Sequence, residues 1–189
     1  MALISAFLDY VRWIDRRAVD FVVSIRSPEL TEVMNSVTGL GSVTAGLVFV
    51  GFFYLAGWRE EFLVTLVSLS ILGVVVGSLM STVERPFPPQ PVCLTGEDEA
   101  VTSSFPSGHS AAVAAYATIA RSSEQLPFVI VSVLAAAIAF SRIYLGTHYL
   151  SDTVFGIGLG IATALFAEWL LGRIDVDALL ERLPFELNI

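Results

Sequence analysis

Between Ser141 and Asp152 the chain reads SRIYLGTHYLSD, an Arg, a His and an Asp set between two strongly apolar segments. Charge is rare in such surroundings, so these residue types point to chemistry on an anion. If the following helix has begun by His148, Asp152 lies four residues further along the same face. There its carboxylate accepts a hydrogen bond from one imidazole nitrogen and leaves the other basic. An imidazole held in this way is a nucleophile, a general base or a metal ligand. Arg142 argues for phosphate, because the guanidinium fork of donors fits phosphate oxygens.

The elements that must position these residues are membrane helices. Hydrophobic residues make up 55% of the 189 and the mean hydropathy is +0.76, well above the apolar share of an ordinary soluble domain. The net charge is -8, and every one of the 10 basic residues is Arg. An acidic chain without lysine argues against nucleic-acid binding, which wants a basic face. Cys93 stands alone and forms no internal disulfide. The opening MALISAFLDY has no basic segment ahead of its apolar residues, so a cleaved signal peptide is not expected.

Residues 1–27 place Leu3, Phe7, Leu8, Val11, Ile14, Ala18, Phe21, Val22 and Ile25 at helical spacing, with six charges between Asp9 and Asp20. That pattern predicts an amphipathic helix on the membrane surface or packed obliquely against a bundle, or a sixth span if its charges face protein. Two spans are expected over 33–83, because Val33–Trp58 is uncharged and Glu61 and Glu84 bracket a second uncharged run. Each run exceeds the about 20 residues that a spanning helix needs. Within the second, Gly73 and Gly77 have a spacing that lets a neighbouring helix approach closely. A polar loop over 84–109 follows, stiffened by the prolines between Pro86 and Pro91. Three further spans are expected within 107–172, the last with a thin face at Gly156, Gly158 and Gly160, before a surface tail over 173–189. The expected fold is all-α, a polytopic membrane helix bundle of five to six spans with an amphipathic N-terminal helix.

If the last four of these spans each cross the bilayer, the 84–109 loop and the Ser141–Asp152 loop emerge on one face. Arg85, Ser107, His109, Arg142, His148 and Asp152 then meet there, and with them both histidines of the chain. A helix starting at Gly108 adds unpaired backbone N–H groups and the positive end of its dipole, an anion site that Ser107 extends by one hydrogen bond.

Two of these stretches, Pro106-Ser107-Gly108-His109 and Ser141-Arg142 followed after five residues by His148 and after three more by Asp152, resemble signature blocks of the type 2 phosphatidic acid phosphatase superfamily. These are membrane lipid phosphatases that share a pocket with vanadium haloperoxidases. The family's first block, Lys, six residues, Arg-Pro, is incomplete: with Arg85-Pro86 at its end the lysine position holds Ser78. A register two residues later places Met80 and Phe87 there instead. The resemblance implies one membrane-embedded phosphatase domain over 1–189 acting on an amphiphilic phosphate such as phosphatidate, phosphatidylglycerophosphate or an isoprenoid diphosphate. It implies that His148 is the nucleophile, that Asp152 orients its ring and that His109 is the acid and then the base. Arg85, Arg142, Ser107 and the Gly108 amide hold the phosphate oxygens, with no metal and no cofactor. A multi-pass protein of the cell membrane with its site facing outward is the expected location. A non-catalytic lipid-phosphate binder or transporter, which the missing lysine would allow, and a vanadate-dependent peroxidase are the rival readings.

Overall fold

The computed structural model describes residues 2–92 and 103–174. Every regular element among them is helical: α1 (Ala2–Ser24), α2 (Pro28–Thr38), a 3₁₀ turn (Gly39–Gly41), α3 (Val43–Leu55), α4 (Arg59–Val83), α5 (Gly108–Ser122), α6 (Phe128–Tyr144) and α7 (Leu150–Leu171). Most of the expected surface tail and the stretch 93–102 of the expected loop lie outside the described residues.

Local sequence explains where the helices start. Ser27 accepts the N–H of Leu30 at 3.2 Å, and Pro28 takes the first helical position, where its missing N–H costs nothing. Ser42 caps α3 by accepting the Ala45 N–H at 3.1 Å. The uncharged run Val33–Trp58 is therefore not one straight span: it bends by 54° where the glycines of the 3₁₀ turn and the Ser42 cap stop one helix and start another.

By length and apolarity α4 and α7 can each cross a membrane, and the bent pair α2–α3 makes a third if it counts as one span. The expectation of five to six is not met on these criteria. With 15 and 17 residues, α5 and α6 reach only about 22 and 26 Å at 1.5 Å per residue. Turns at 123–127 and 145–149 take up the rest of their apolar runs. The charged α1 is not among the spanning helices. Every side chain from Leu3 to Tyr10 is exposed, and so is Phe21, while Asp15, Val19 and Val22 are buried.

The core is built around α5. Its Ala111, Ala115 and Ile119 pack with Val64 and Leu72 of α4 and with Ala164 and Ala167 of α7. Its other side meets Ala135 and Ile138 of α6 through Val113. Small residues bring α5 and α7 almost backbone to backbone: a Cβ at Gly156 would come within 2.5 Å of the Ser107 carbonyl oxygen, and one at Gly160 would overlap the Ala111 carbonyl. Gly158 faces open space, so the expected thin face has two members rather than three. Gly73 and Gly77 also have nothing within 4 Å of a built Cβ, and their spacing serves no close approach within the described chain.

Gly160→Ala should separate α5 from α7 at a cost of about 1–3 kcal/mol, the scale of overpacking a filled core. Thermal unfolding in detergent should show it as a clear drop in Tm, with Gly158→Ala close to wild type.

Candidate active site

The site forms where the start of α5, the end of α6, the start of α7 and the residues just after α4 meet. Glu84 ends α4 in the left-handed conformation, φ 46°, and turns the chain inward at Arg85. The strand-like pair 85–86 and 103–104 is then held by the Ser104 N–H on the Arg85 carbonyl (2.8 Å), the Arg85 N–H on Ser103 Oγ (3.0 Å) and Ser104 Oγ on the Pro86 carbonyl (3.2 Å). Ser103, Ser104 and Ser107 are fully buried. Ser107 caps α5: its Oγ accepts the Ser110 N–H and pairs with Ser110 Oγ at 2.8 Å, while its own N–H donates to the Asp152 carbonyl at 3.2 Å.

The segment leading to His148 is wound around one carbonyl. The Arg142 oxygen accepts the N–H groups of Thr147 and His148, both at 3.2 Å, and the Thr147 hydroxyl at 3.1 Å. Gly146, at φ 78°, supplies the turn that makes this possible. Arg142 itself is fully buried, and its Nη1 donates to Thr38 Oγ1 at 2.9 Å. Three residues after Thr38, Gly41 packs against His109, so Arg142 and His109 share one wall made by the end of α2 and the 3₁₀ turn.

His148 is 3% exposed. Its Nδ1 lies 2.5 Å from the Ser104 carbonyl oxygen, and since a carbonyl only accepts, Nδ1 carries the proton and Nε2 of the neutral ring carries the lone pair. This differs from the expected His148–Asp152 pairing, for a local reason. The helix begins at Leu150, two residues after His148, so the four-residue helical spacing does not operate. Asp152 is instead the third residue of α7, where its Oδ2 accepts the Tyr149 N–H at 2.8 Å in a capping box. Its Oδ1 pairs with Arg85 Nη1.

Arg85, not Phe87, reaches this cluster, and it does so between two carboxylates. Nη1 bonds Asp152 and Ser151 Oγ (2.8 Å), Nη2 bonds Asp15 Oδ2 (2.7 Å), and the guanidinium carbon lies 4.1 Å from the centre of the Tyr149 ring. Burial works against the charge of Arg85, but Asp15 and Asp152 outweigh it and hold its pKa above the usual guanidinium range. Burial pushes the Tyr149 phenol up; Arg85 pulls against this and the two carboxylates reinforce it. Ser78, at the lysine position of the Arg85 register, is exposed on α4 with its hydroxyl on the Val74 carbonyl at 2.7 Å. Among the described residues no group of three or more His, Cys, Asp or Glu side chains is arranged to hold a metal ion.

Of the seven site residues expected from sequence, Arg85, Ser107, His148 and Asp152 are joined by these hydrogen bonds through Ser104, Gly108 follows Ser107 at the start of α5, and Arg142 and His109 stand at the wall of Thr38 and Gly41. Asp15, Thr38 and the Ser104 carbonyl were not legible as site residues. Asp15 carried one signal: with Val19, Val22 and Arg26 it lies at helical spacing on a single face, an acid and a base inside what is otherwise an apolar stripe.

Residues 61–174 match the family model of the PAP2 superfamily. The chain belongs to that superfamily. It is 33% identical over 157 residues to phosphatidylglycerophosphatase B of Bacillus subtilis, covering 74% of each chain. It is 32% identical over 114 residues to decaprenylphosphoryl-5-phosphoribose phosphatase of Mycobacterium tuberculosis, covering 60% of this chain and 63% of the relative. The crystal structure of a transmembrane PAP2-type phosphatidylglycerolphosphate phosphatase from Bacillus subtilis superposes with a TM-score of 0.75 at 25% identity, over 92% of this chain and 96% of that one. That of Aquifex aeolicus LpxE gives 0.65 at 24% identity, over 85% and 93%, a likeness of fold. The PAP2 relatives are named as phosphatases, which makes this protein a phosphoric monoester hydrolase by class. The match begins at Glu61, so α1 and α2, with Asp15 and Thr38, precede the segment by which the PAP2 family is recognised.

Thr38→Val should remove the acceptor that Nη1 of the buried Arg142 uses. A hydrogen bond to a charged group is worth about 1.5–3 kcal/mol, so kcat/KM for phosphate release should fall about tenfold or more, with Thr38→Ser retaining most of it.

Proposed function

We propose that this protein removes phosphate from a membrane lipid through a phosphohistidine on His148, without a metal. The observation that carries the reading is the 2.5 Å contact of His148 Nδ1 with the Ser104 carbonyl, which suits Nε2 of this buried ring to the role of nucleophile. In the first step Nε2 attacks phosphorus and the bond to the lipid oxygen breaks, with protonated His109 giving its proton to the departing alkoxide. In the second, neutral His109 takes a proton from water, whose oxygen attacks phosphorus and breaks the P–N bond, returning His148 and releasing phosphate. Arg85, Arg142, Ser107 and the Gly108 N–H hold the equatorial oxygens, where preorganised donors stabilise the developing charge. Glycine at 108 supports this: a Cβ there would make only an ordinary 3.6 Å contact with Val76, so packing within the protein does not demand its absence. Asp152 serves by holding Arg85 and the first turn of α7 rather than the nucleophile itself.

The substrate class follows from the surroundings. An apolar cleft of about 500 Å³ runs from Leu40 and Ile138, beside the wall that Gly41 forms against His109, to Trp58 and Pro127 at the far ends of their helices. It suits a hydrocarbon chain attached to a phosphate held above. The PAP2 relatives named above act on a glycerophospholipid and on a polyprenyl lipid, and both kinds fit this description. The proposed arrangement has α2–α3, α4, α5, α6 and α7 crossing as five spans, α5 and α6 as short inner ones, in the cell membrane with the site at its outward face.

The test is phosphate release by purified protein in detergent, with EDTA, from phosphatidate, phosphatidylglycerophosphate and a polyprenyl diphosphate. Release is expected to survive EDTA, to follow a bell-shaped pH profile set by one neutral and one protonated histidine, and to vanish in His148→Ala. Release abolished by EDTA, or retained in His148→Ala, would sink the mechanism. Binding of these lipids without release would favour a non-catalytic binder.

A further inference from the structure

Asp15 belongs to a helix that otherwise exposes its charges, yet it is 1% exposed. Its Oδ1 accepts the Ser151 N–H at 2.9 Å, and its Oδ2 accepts Ser151 Oγ and Arg85 Nη2, both at 2.7 Å. Ser151 is the second residue of α7, where a helix leaves its N–H without an internal partner. One carboxylate from α1 therefore caps α7 and grips Arg85 together.

The donors of Arg85 show what the grip achieves. A guanidinium has five N–H donors in one plane. Nη1 gives two, to Asp152 and Ser151 Oγ, and Nη2 gives one to Asp15. The remaining two, on Nε and Nη2, lie along one edge, the bidentate fork that matches two phosphate oxygens. Asp152 and Ser151 hold Nη1 alone, a single point about which the group can turn. Asp15 adds the second point, and the Tyr149 ring at 4.1 Å backs the plane.

We infer that Asp15 is a positioning residue for the phosphatase reaction: it touches no substrate, and it fixes Arg85 so that the Nε–Nη2 edge faces the phosphate. The inference rests on the phosphatase reading above and extends the site to α1, which precedes the matched segment 61–174. The role matters more in a chain with no lysine, where Arg85 and Arg142 are the cationic side chains of the site.

A mutant cycle separates this from simple capping of α7. Asp15→Asn, Arg85→Gln and the double variant are compared for orthovanadate binding, kcat, KM and Tm, since residues acting through one another are not additive. Asp15→Asn keeps an acceptor for the Ser151 N–H but loses the charge that holds Arg85. It should weaken vanadate binding and lower kcat/KM about tenfold or more, the scale of one charge-assisted hydrogen bond. Added to Arg85→Gln it should change either by less than about twofold. Equal losses in both backgrounds, or a lower Tm with vanadate binding unchanged, would overturn the inference while leaving the phosphatase reading intact. Wild-type protein that binds vanadate but releases no phosphate would overturn that reading, with the Asp15–Arg85 coupling still measurable by binding. Wild-type protein that does neither overturns both.

Discussion

The close approach of α5 and α7 is the constraint on which the rest of the structure depends. Gly156 and Gly160 leave the two backbones so near that no Cβ fits between them, and the Ser107 N–H reaches the Asp152 carbonyl across the gap. That contact places the start of α5, with Ser107, Gly108 and His109, beside the start of α7, with Tyr149, Ser151 and Asp152. Two helix N-termini side by side concentrate unpaired N–H groups and positive dipole ends in one place. In apolar surroundings such a place favours anions, and the protein supplies Asp15 and Asp152.

Burying charge in a membrane protein is costly unless each charge is met. Arg85 is met by two carboxylates, a hydroxyl and an aromatic face, and Arg142 Nη1 donates to the Thr38 hydroxyl. These partners come from α1, α2 and the start of α7, so the arginines tie the N-terminal helices to the bundle. A second clasp does the same further along: Arg26 donates to the Tyr144 and Gln90 carbonyls, and the Tyr144 hydroxyl accepts the Ser27 N–H. The second half of α1 and the residues just after it are thereby fastened at two points: Asp15 to Arg85 and the start of α7, and Arg26 to Gln90 and the end of α6.

The apolar runs of the sequence correspond to helices, but their ends were set by local chemistry that hydropathy does not register. Ser42 divides one run into a bent pair, and Leu150 begins α7 too late for His148 to lie on it. The second of these changes the chemistry: the imidazole is oriented by a backbone carbonyl from a segment 44 residues away, and Asp152 turns to Arg85. In α1 the periodicity does not say which residues meet the protein: Leu3, Phe7, Leu8 and Phe21 are exposed, while Asp15 is buried.

By itself the sequence determined the residue types and their spacing: two histidines, Arg142, Asp152, a Ser-Gly pair at a helix start, and apolar segments that bring their loops to one face. Those are local properties, set by side-chain chemistry and helix periodicity. Only the tertiary structure decided which atoms meet. Asp15 and Thr38 lie 70 and 104 residues from the arginines they hold, and the Ser104 carbonyl belongs to a group every residue possesses. Apart from the helical face that Asp15 shares with Val19, Val22 and Arg26, no pattern in the chain marks such partners, because a buried charge or an imidazole N–H is satisfied by whatever acceptor the packing brings within about 3 Å.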